Sequence, residues 1–438
     1  MEESIEKRNT TAGQGLAAKD WSAPAVYSLG FLTVISVFNY LDRAILGLAL
    51  PLIKSEMAVS DTVLGLVSGL AFVLFYSLLG IPIAWAADRW SRRNIIAAGF
   101  AFWSVMTAVT GFVGNIWQLA LTRFLMGAGE ACGIAPSNSM IADLFRRARR
   151  PLALAIFGTA NSAAFIILFP VAGWIAQHYG WRAMFVAAGL PGILLALLFF
   201  ATVREPERGG SEERKVALAP DSFLETVKFL AGSRAYLFML AGVTFMGANV
   251  FGAAAWTPTF LTRVHGLDIS EVAASIGPIR GALGALGVIL GGVLVDRMGN
   301  RDERMRLIIP AIACMLVGPA EALFLLGDPK SLWLLGFALT SFFTLVHQGP
   351  IFAAAMAVAK VRARAVATAI IIFCASLLGQ AVGPLAVGVL NDALQPEFGG
   401  AAVRYSMLIV AVTPVLSGVF FLLAARSFVA DSARAAES

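Results

Sequence analysis

The chain has 438 residues, 58% of them hydrophobic and only 14% charged, with a formal net charge of +6. Soluble domains carry roughly 25% charged residues, so this chain lacks the polar surface of a water-facing shell. Apolar runs of about 20 residues, each long enough to cross a ~30 Å hydrocarbon core, recur throughout. The ~10-residue alternating segments of a transmembrane barrel are missing, which leaves a helical multi-pass membrane protein.

Residues 1–20, "MEESIEKRNTTAGQGLAAKD", are polar and lack the apolar core of a signal peptide. A tail over 1–23 is expected. Twelve spans follow at 24–50, 61–87, 94–113, 116–143, 151–178, 182–203, 235–263, 271–297, 305–327, 331–359, 365–392 and 402–429, and residues 430–438 form a second tail. The connections after even-numbered spans, counted with the span ends that flank them, hold twenty Lys and Arg, and those after odd-numbered spans hold five. The positive-inside rule therefore puts both termini in the cytosol, in the inner membrane if the source is bacterial. The basic excess is a topology signal and predicts no nucleic-acid partner.

The first span, "VISVFNYLDRAILGLALPL", places Asp42 and Arg43 side by side in an apolar run. A charge at the bilayer centre costs at least ~2.5–3.5 kcal/mol, so intramembrane ionisable residues mark function by default. The second span ends in "AWAADRWSRRN" (84–94), with Asp88, Arg89, Arg92 and Arg93. In the fourth span, Arg123 and Glu130 lie seven residues apart, two turns, and share one face. Counting ~1.5 Å per residue from either membrane edge puts Arg123 near the level of Asp42 and Arg43, with Glu130 roughly 10 Å deeper toward the cytosol.

Residues 204–234 form the longest connection and divide the chain six spans from six. This linker opens charged, "REPERGGSEERK", and continues "PDSFLETVKFL", which reads either as a short amphipathic helix on the inner membrane surface or as an irregular loop. After the eighth span the chain reads "GVLVDRMGNRD" (292–302). Aligned at Asp88 and Asp296, with Arg297 matching Arg89, it repeats the earlier loop 208 residues later. Two matching motifs at equivalent points of two halves indicate an internal repeat.

The second half supplies further polar residues inside spans. Arg280 in span 8 has no obvious carboxylate in its own helix and is read as a substrate contact or a water-facing gate. Asn249 and Trp256 in span 7, His347 and Gln348 in span 10 and Gln380 in span 11 are cavity candidates, though such residues more often make helix–helix hydrogen bonds. Glu321 in span 9 is expected to be solvated near the outer interface. Cys132, Cys314 and Cys374 stand singly in apolar runs, so no metal or disulfide framework is expected. Three scattered histidines provide no catalytic constellation, and an enzyme is not expected.

The repeated Asp-Arg loop, twelve spans and a central linker resemble the major facilitator superfamily over the whole chain. "RFLMGAGEA" (123–131) and "FPVAGWIAQHYGWRAMF" (169–185) are similar to its patterns in spans 4 and 5. "NYLDR" in span 1 with "GAGEA" in span 4 most resembles the spinster-like transporters, animal members of which export sphingosine-1-phosphate and lysophospholipids. The organic-anion symporter branch shares the first of these motifs. Ala84 and Ser91 depart from the superfamily loop, which has glycines there.

That resemblance implies an all-α fold of two pseudo-symmetric six-helix bundles (24–203 and 235–429) rocking about a midplane site. With no Gly-x-x-x-x-Gly-Lys-Ser/Thr loop in the sequence, a proton gradient is the expected drive. Asp42, Arg43, Arg123 and Glu130 are then expected to face a shared cavity. Glu130 or Asp42 would exchange the proton, and the arginines, with Asn39, Tyr40 and the second-half candidates, would hold an amphiphilic anion. The competing account is two static ion pairs that only fix packing. Asp88, Arg89, Arg92, Arg93, Asp296 and Arg297 are expected to latch the cytosolic ends in the outward-open state. The remaining expectations are a monomer in contact with membrane lipids, no cofactor, and, as an alternative substrate, a small organic acid or a drug.

Overall fold

A computed structural model describes residues 21–87, 89–207 and 223–437. The first tail through residue 20, Asp88 and linker residues 208–222 lie outside them. The spanning elements are α1 (Ala23–Met57), α2 (Asp61–Ser68 continued by Leu70–Ala87), α3 (Arg92–Thr110) and α4 (Ile116–Glu130 continued by Ile134–Leu144). Next come α5 and α6, formed from Arg150–Ala163, a π-helical turn Ala164–Leu168 and Phe169–Thr202. Gly180, at φ 84°, separates α5 from α6; only glycine adopts that backbone readily, and a single residue therefore reverses the chain.

The second half repeats the scheme with α7 (Arg234–His265), α8 (Ile269–Gly299), α9 (Met305–Leu326) and α10 (Lys330–Val346 continued by Gln348–Ala357). It closes with α11 (Arg364–Phe398) and α12 (Ala402–Ser406 continued by Leu408–Ala436). A short helix, Phe223–Ala231, precedes α7. Helix starts follow local chemistry. Ser60 caps α2 by accepting from the Val63 amide, Ser91 caps α3, and Asp268 with Glu271 forms a capping box on α8. Each satisfies amides that the first turn leaves free.

Trp21 and Glu437, the first and last described residues, lie at one end of the molecule, here the near end. Apolar packing differs between the two ends. At the far end one core runs through both bundles, including Leu48 and Leu64 of the first and Trp256, Val272 and Val387 of the second. At the near end each bundle has its own core, one around Phe100 and Trp103, the other around Met239 and Phe421. The bundles are therefore joined at the far end and parted at the near end. Small residues make the join possible. A Cβ on Gly65 would meet the Pro384 carbonyl at 2.5 Å, one on Gly388 the Asp61 carbonyl at 2.3 Å, and one on Gly173 the Ala273 side chain at 2.2 Å.

Candidate functional site

Between the parted bundles lies a cavity of about 280 Å³. Arg43 of α1 reaches it from the first bundle, beside Tyr40. The Arg43 Nε donates to Glu130 Oε2 at 2.7 Å, and the Asn39 amide donates to the same oxygen at 2.9 Å. The Arg43 guanidinium also lies over two neighbouring rings of α2, 5.0 Å from Phe72 and 4.6 Å from Tyr76. Glu130 is fully buried whereas the Arg43 side chain keeps 19% exposure. The pair thus has one member sealed in the bundle and one at the cavity wall.

The expected four-residue cluster facing the cavity needs correction. Asp42, Arg123, Glu130 and Asn39 do not line it. Adjacent residues on a helix point about 100° apart, so Asp42 and Arg43 cannot share a face. Asp42 instead turns into the first bundle toward Trp103 and Thr107 of α3. Arg123 donates to the Asp42 backbone carbonyl at 3.3 Å and approaches the Met126 sulfur. Oδ1 of Asp42, Oε1 of Glu130 and Nε of Arg123 are buried with no hydrogen-bond partner among the described residues.

On the second-bundle side, Arg280, Asn249, Gln348 and Gln380 do line the cavity. Asn249 is also tied to α12, donating to the Val410 carbonyl at 2.6 Å. Trp256 and His347 do not line it, a second correction. The Trp256 ring is buried and donates to the Pro384 carbonyl at 2.9 Å. His347 bonds the Thr344 carbonyl of its own helix. Both satisfy backbone carbonyls, the commoner use of polar side chains between membrane helices.

Sequence reasoning placed Glu321 near solvent. The structure buries it to 1% exposure, in the cavity wall with Thr340 and Thr344. The reason is close helix packing: a Cβ on Gly336 of α10 would meet Phe324 at 2.3 Å and the Ala320 carbonyl at 2.9 Å on α9. The two helices approach so tightly there that α10 covers the carboxyl. Its position in the apolar run "MLVGPAEALFLL" was the available signal.

The far-end closure centres on Asp61, which sequence reasoning passed over. Its carboxylate receives Nη1 and Nη2 of Arg263 at 2.8 and 3.0 Å, Lys54 at 2.8 Å and the Asn391 amide. Asp392 in turn accepts the Asp61 and Thr62 amides. Nothing local distinguishes Asp61 from an ordinary first-turn acid of a capped helix.

The near-end loop residues are occupied within their own bundle. Arg92 pairs with Asp143 and with Glu205, and the Arg93 amide and Ser91 hydroxyl also bond Glu205. Burial alone would raise the Glu205 carboxyl, but the bonds from Arg93, Arg92 and Ser91 outweigh it and hold it below its ordinary value. Arg89 lies over its neighbour Trp85. Asp296 and Arg297 of α8 are exposed, and Asp88 is outside the described residues.

Membrane-length helices in two like bundles, joined at one end around a charged central cavity, define a membrane transporter. The chain belongs to the Major Facilitator Superfamily, whose family model matches residues 32–384, and within it is similar to the spinster transporters. An MFS-type efflux pump of Mycolicibacterium smegmatis is 30% identical, over 92% of this chain and 93% of its own. The sphingosine-1-phosphate transporter SPNS2 of Danio rerio is 28% identical, over 93% of this chain and 85% of its own. A bacterial homologue of the human lysosomal transporter spinster, solved inward-facing and unoccupied, superposes with a TM-score of 0.84 at 27% identity, covering 94% of this chain and 99% of that one.

Proposed function

We propose that this transporter is proton-coupled and carries an amphiphilic anion by alternating access, with the near end facing the cytosol. The observation that carries this reading is the Arg43–Glu130 pair, half sealed and half at the cavity wall. Protonation of Glu130 would release Arg43 to an anionic headgroup, and ionisation would recapture it. That exchange is what coupling requires: one cation with two alternative anions, only one of them mobile. Likeness to an inward-facing spinster homologue supports the orientation. In the opposite conformation Asp296 and Arg297, with the loop after α2, would meet across the near end.

The test is uptake of a lysophospholipid or sphingoid phosphate into proteoliposomes with and without a pH gradient. E130Q should lower gradient-driven flux by about tenfold, the cost of one charge-assisted bond, while D42N reports on the second carboxylate. Flux through E130Q and D42N that keeps its full dependence on the gradient would end this reading.

A second reading, a carrier of small organic acids or drugs, is favoured by the modest cavity of about 280 Å³. Relatives also support it: the efflux pump above and a probable galactarate/D-glucarate transporter of Bacillus subtilis, 27% identical over 65% of this chain and 68% of its own. Stabilisation of the purified protein by short organic acids and not by lysolipids would select it.

A further inference from the structure

The second-bundle wall of the cavity holds a carboxyl that the Arg43–Glu130 exchange does not use. Glu321 is 1% exposed, and neither of its oxygens has a hydrogen-bond partner among the described residues. The Thr340 hydroxyl lines the same wall, and its Oγ1 also has no hydrogen-bond partner among the described residues. A carboxylate buried without donors or a contacting cation is strongly disfavoured in its ionised form. Glu321 nonetheless lines the cavity, so a proton needs only one hydroxyl or water as carrier to reach it.

One cation faces it. Arg280 of α8 lines the same cavity and acts on Glu321 electrostatically, yet it is stacked elsewhere, 5.0 Å from the ring of Phe165. Among the described residues, no other charged group lines this wall. His347 at the break in α10 is turned to its own helix. The charges of α12 lie toward its two ends, with Arg404 on Asp328 and Arg426, Asp431 and Arg434 in the other half, and those of α7 are Arg234, Arg263 and His265, also at the ends.

Phe165 belongs to the other bundle, in the π-helical turn of α5, a feature that often marks functional sites. Glycines on either side of Arg280 press α8 onto that turn: a Cβ on Gly277 would meet the Phe165 carbonyl at 2.6 Å, and one on Gly281 would meet Ile166 at 2.6 Å. The stacked contact therefore exists only while α5 and α8 stay together. Glu321 moves with Arg280 in the same bundle, and Phe165 does not.

We propose that Glu321 is a second proton-binding carboxyl, protonated while Arg280 rests on Phe165 and ionised when the bundles part there and Arg280 turns back to it. This builds on the proton-coupled reading above. The step breaks only the Glu321 O–H bond, and its proton passes to solvent in the cavity. Acid should accordingly favour the conformation described here.

The test places spin labels at Ala148 and Glu303, exposed near-end residues of the two bundles, after replacing the three native cysteines, and follows the ratio of long to short distances from acid to alkaline pH without substrate. In the parent protein the ratio should fall as pH rises. E321Q should hold the acid-side ratio throughout, E321D should restore the pH response, and F165L, which removes the cross-bundle station of Arg280, should lower the ratio at every pH. A parent ratio that ignores pH, or an E321Q ratio that follows the parent, overturns the proposal. Gradient-driven uptake lowered about tenfold by E130Q alongside an unaltered E321Q distance response would sink this inference and leave the Glu130 reading standing.

Discussion

Asp61 and Arg263, 202 residues apart, form a two-bonded ion pair that joins the start of α2 to the end of α7 across the two bundles. The Asp61 side chain is 1% exposed, while Arg263 and Lys54 keep 21% and 23%. Removing the carboxylate would leave two cations facing each other where the far end closes. Partial exposure of both cations screens that repulsion, so the pair is worth less than a fully buried one.

D61N should shift the balance toward far-end opening by about tenfold, the scale of a lost hydrogen bond to a charged group. Spin labels at the exposed residues Ser55 and Glu397 would report it as a growing long-distance fraction. An unchanged distribution would show that glycine-mediated packing alone holds this end.

Two glycines separate closure from folding. The Gly65 Cβ position faces Pro384 in the other bundle, whereas that of Gly127 faces the Phe72 carbonyl in its own, at 2.3 Å. G65V should open the far end with little change in melting temperature. G127V should overpack one bundle and cost ~1–3 kcal/mol of stability. Thermal melts read beside the label distances distinguish the two effects.

R43K tests what Arg43 does besides carrying charge. Lysine keeps the cation but loses the Nε bond to Glu130 and the flat surface that lies over Phe72 and Tyr76. Stacking and the lost bond together are worth roughly 1–3 kcal/mol. KM for an anionic substrate should rise about tenfold or more, by the same scale of energies. Y76F, which retains the ring, should leave KM close to the parent value.

Glu205 gives a pH-dependent prediction outside the membrane. Its folded-state carboxyl titrates below the ordinary 4.5. The stabilisation it adds is therefore complete above the unfolded value and is lost as pH falls through the folded one. The melting-temperature difference between parent and E205Q should be constant at neutral pH and shrink only below about pH 4.5. A difference that persists into strong acid would assign the effect to packing.

The architecture follows from the order of residues alone. Hydropathy and turn residues put the helices within several residues of their observed ends because a bilayer demands ~20 apolar residues per crossing and satisfied backbone groups within it. The duplicated loops at Asp88 and Asp296 revealed the two halves, and the intramembrane charges Asp42, Arg43, Arg123 and Glu130 stood out because charge in hydrocarbon is costly. Tertiary structure alone decided which of these reach the cavity. Arg43 does and Asp42 does not, since neighbouring residues on a helix diverge by about 100°, and only packing against α3 and α4 fixes which way each points. The pairing of Asp61 with Arg263 and the stacking of Arg280 on Phe165 join helices distant in sequence, and the burial of Glu321 under α10 depends on how two consecutive helices pack. Such contacts depend on how glycine-lined faces approach one another, which local periodicity does not encode.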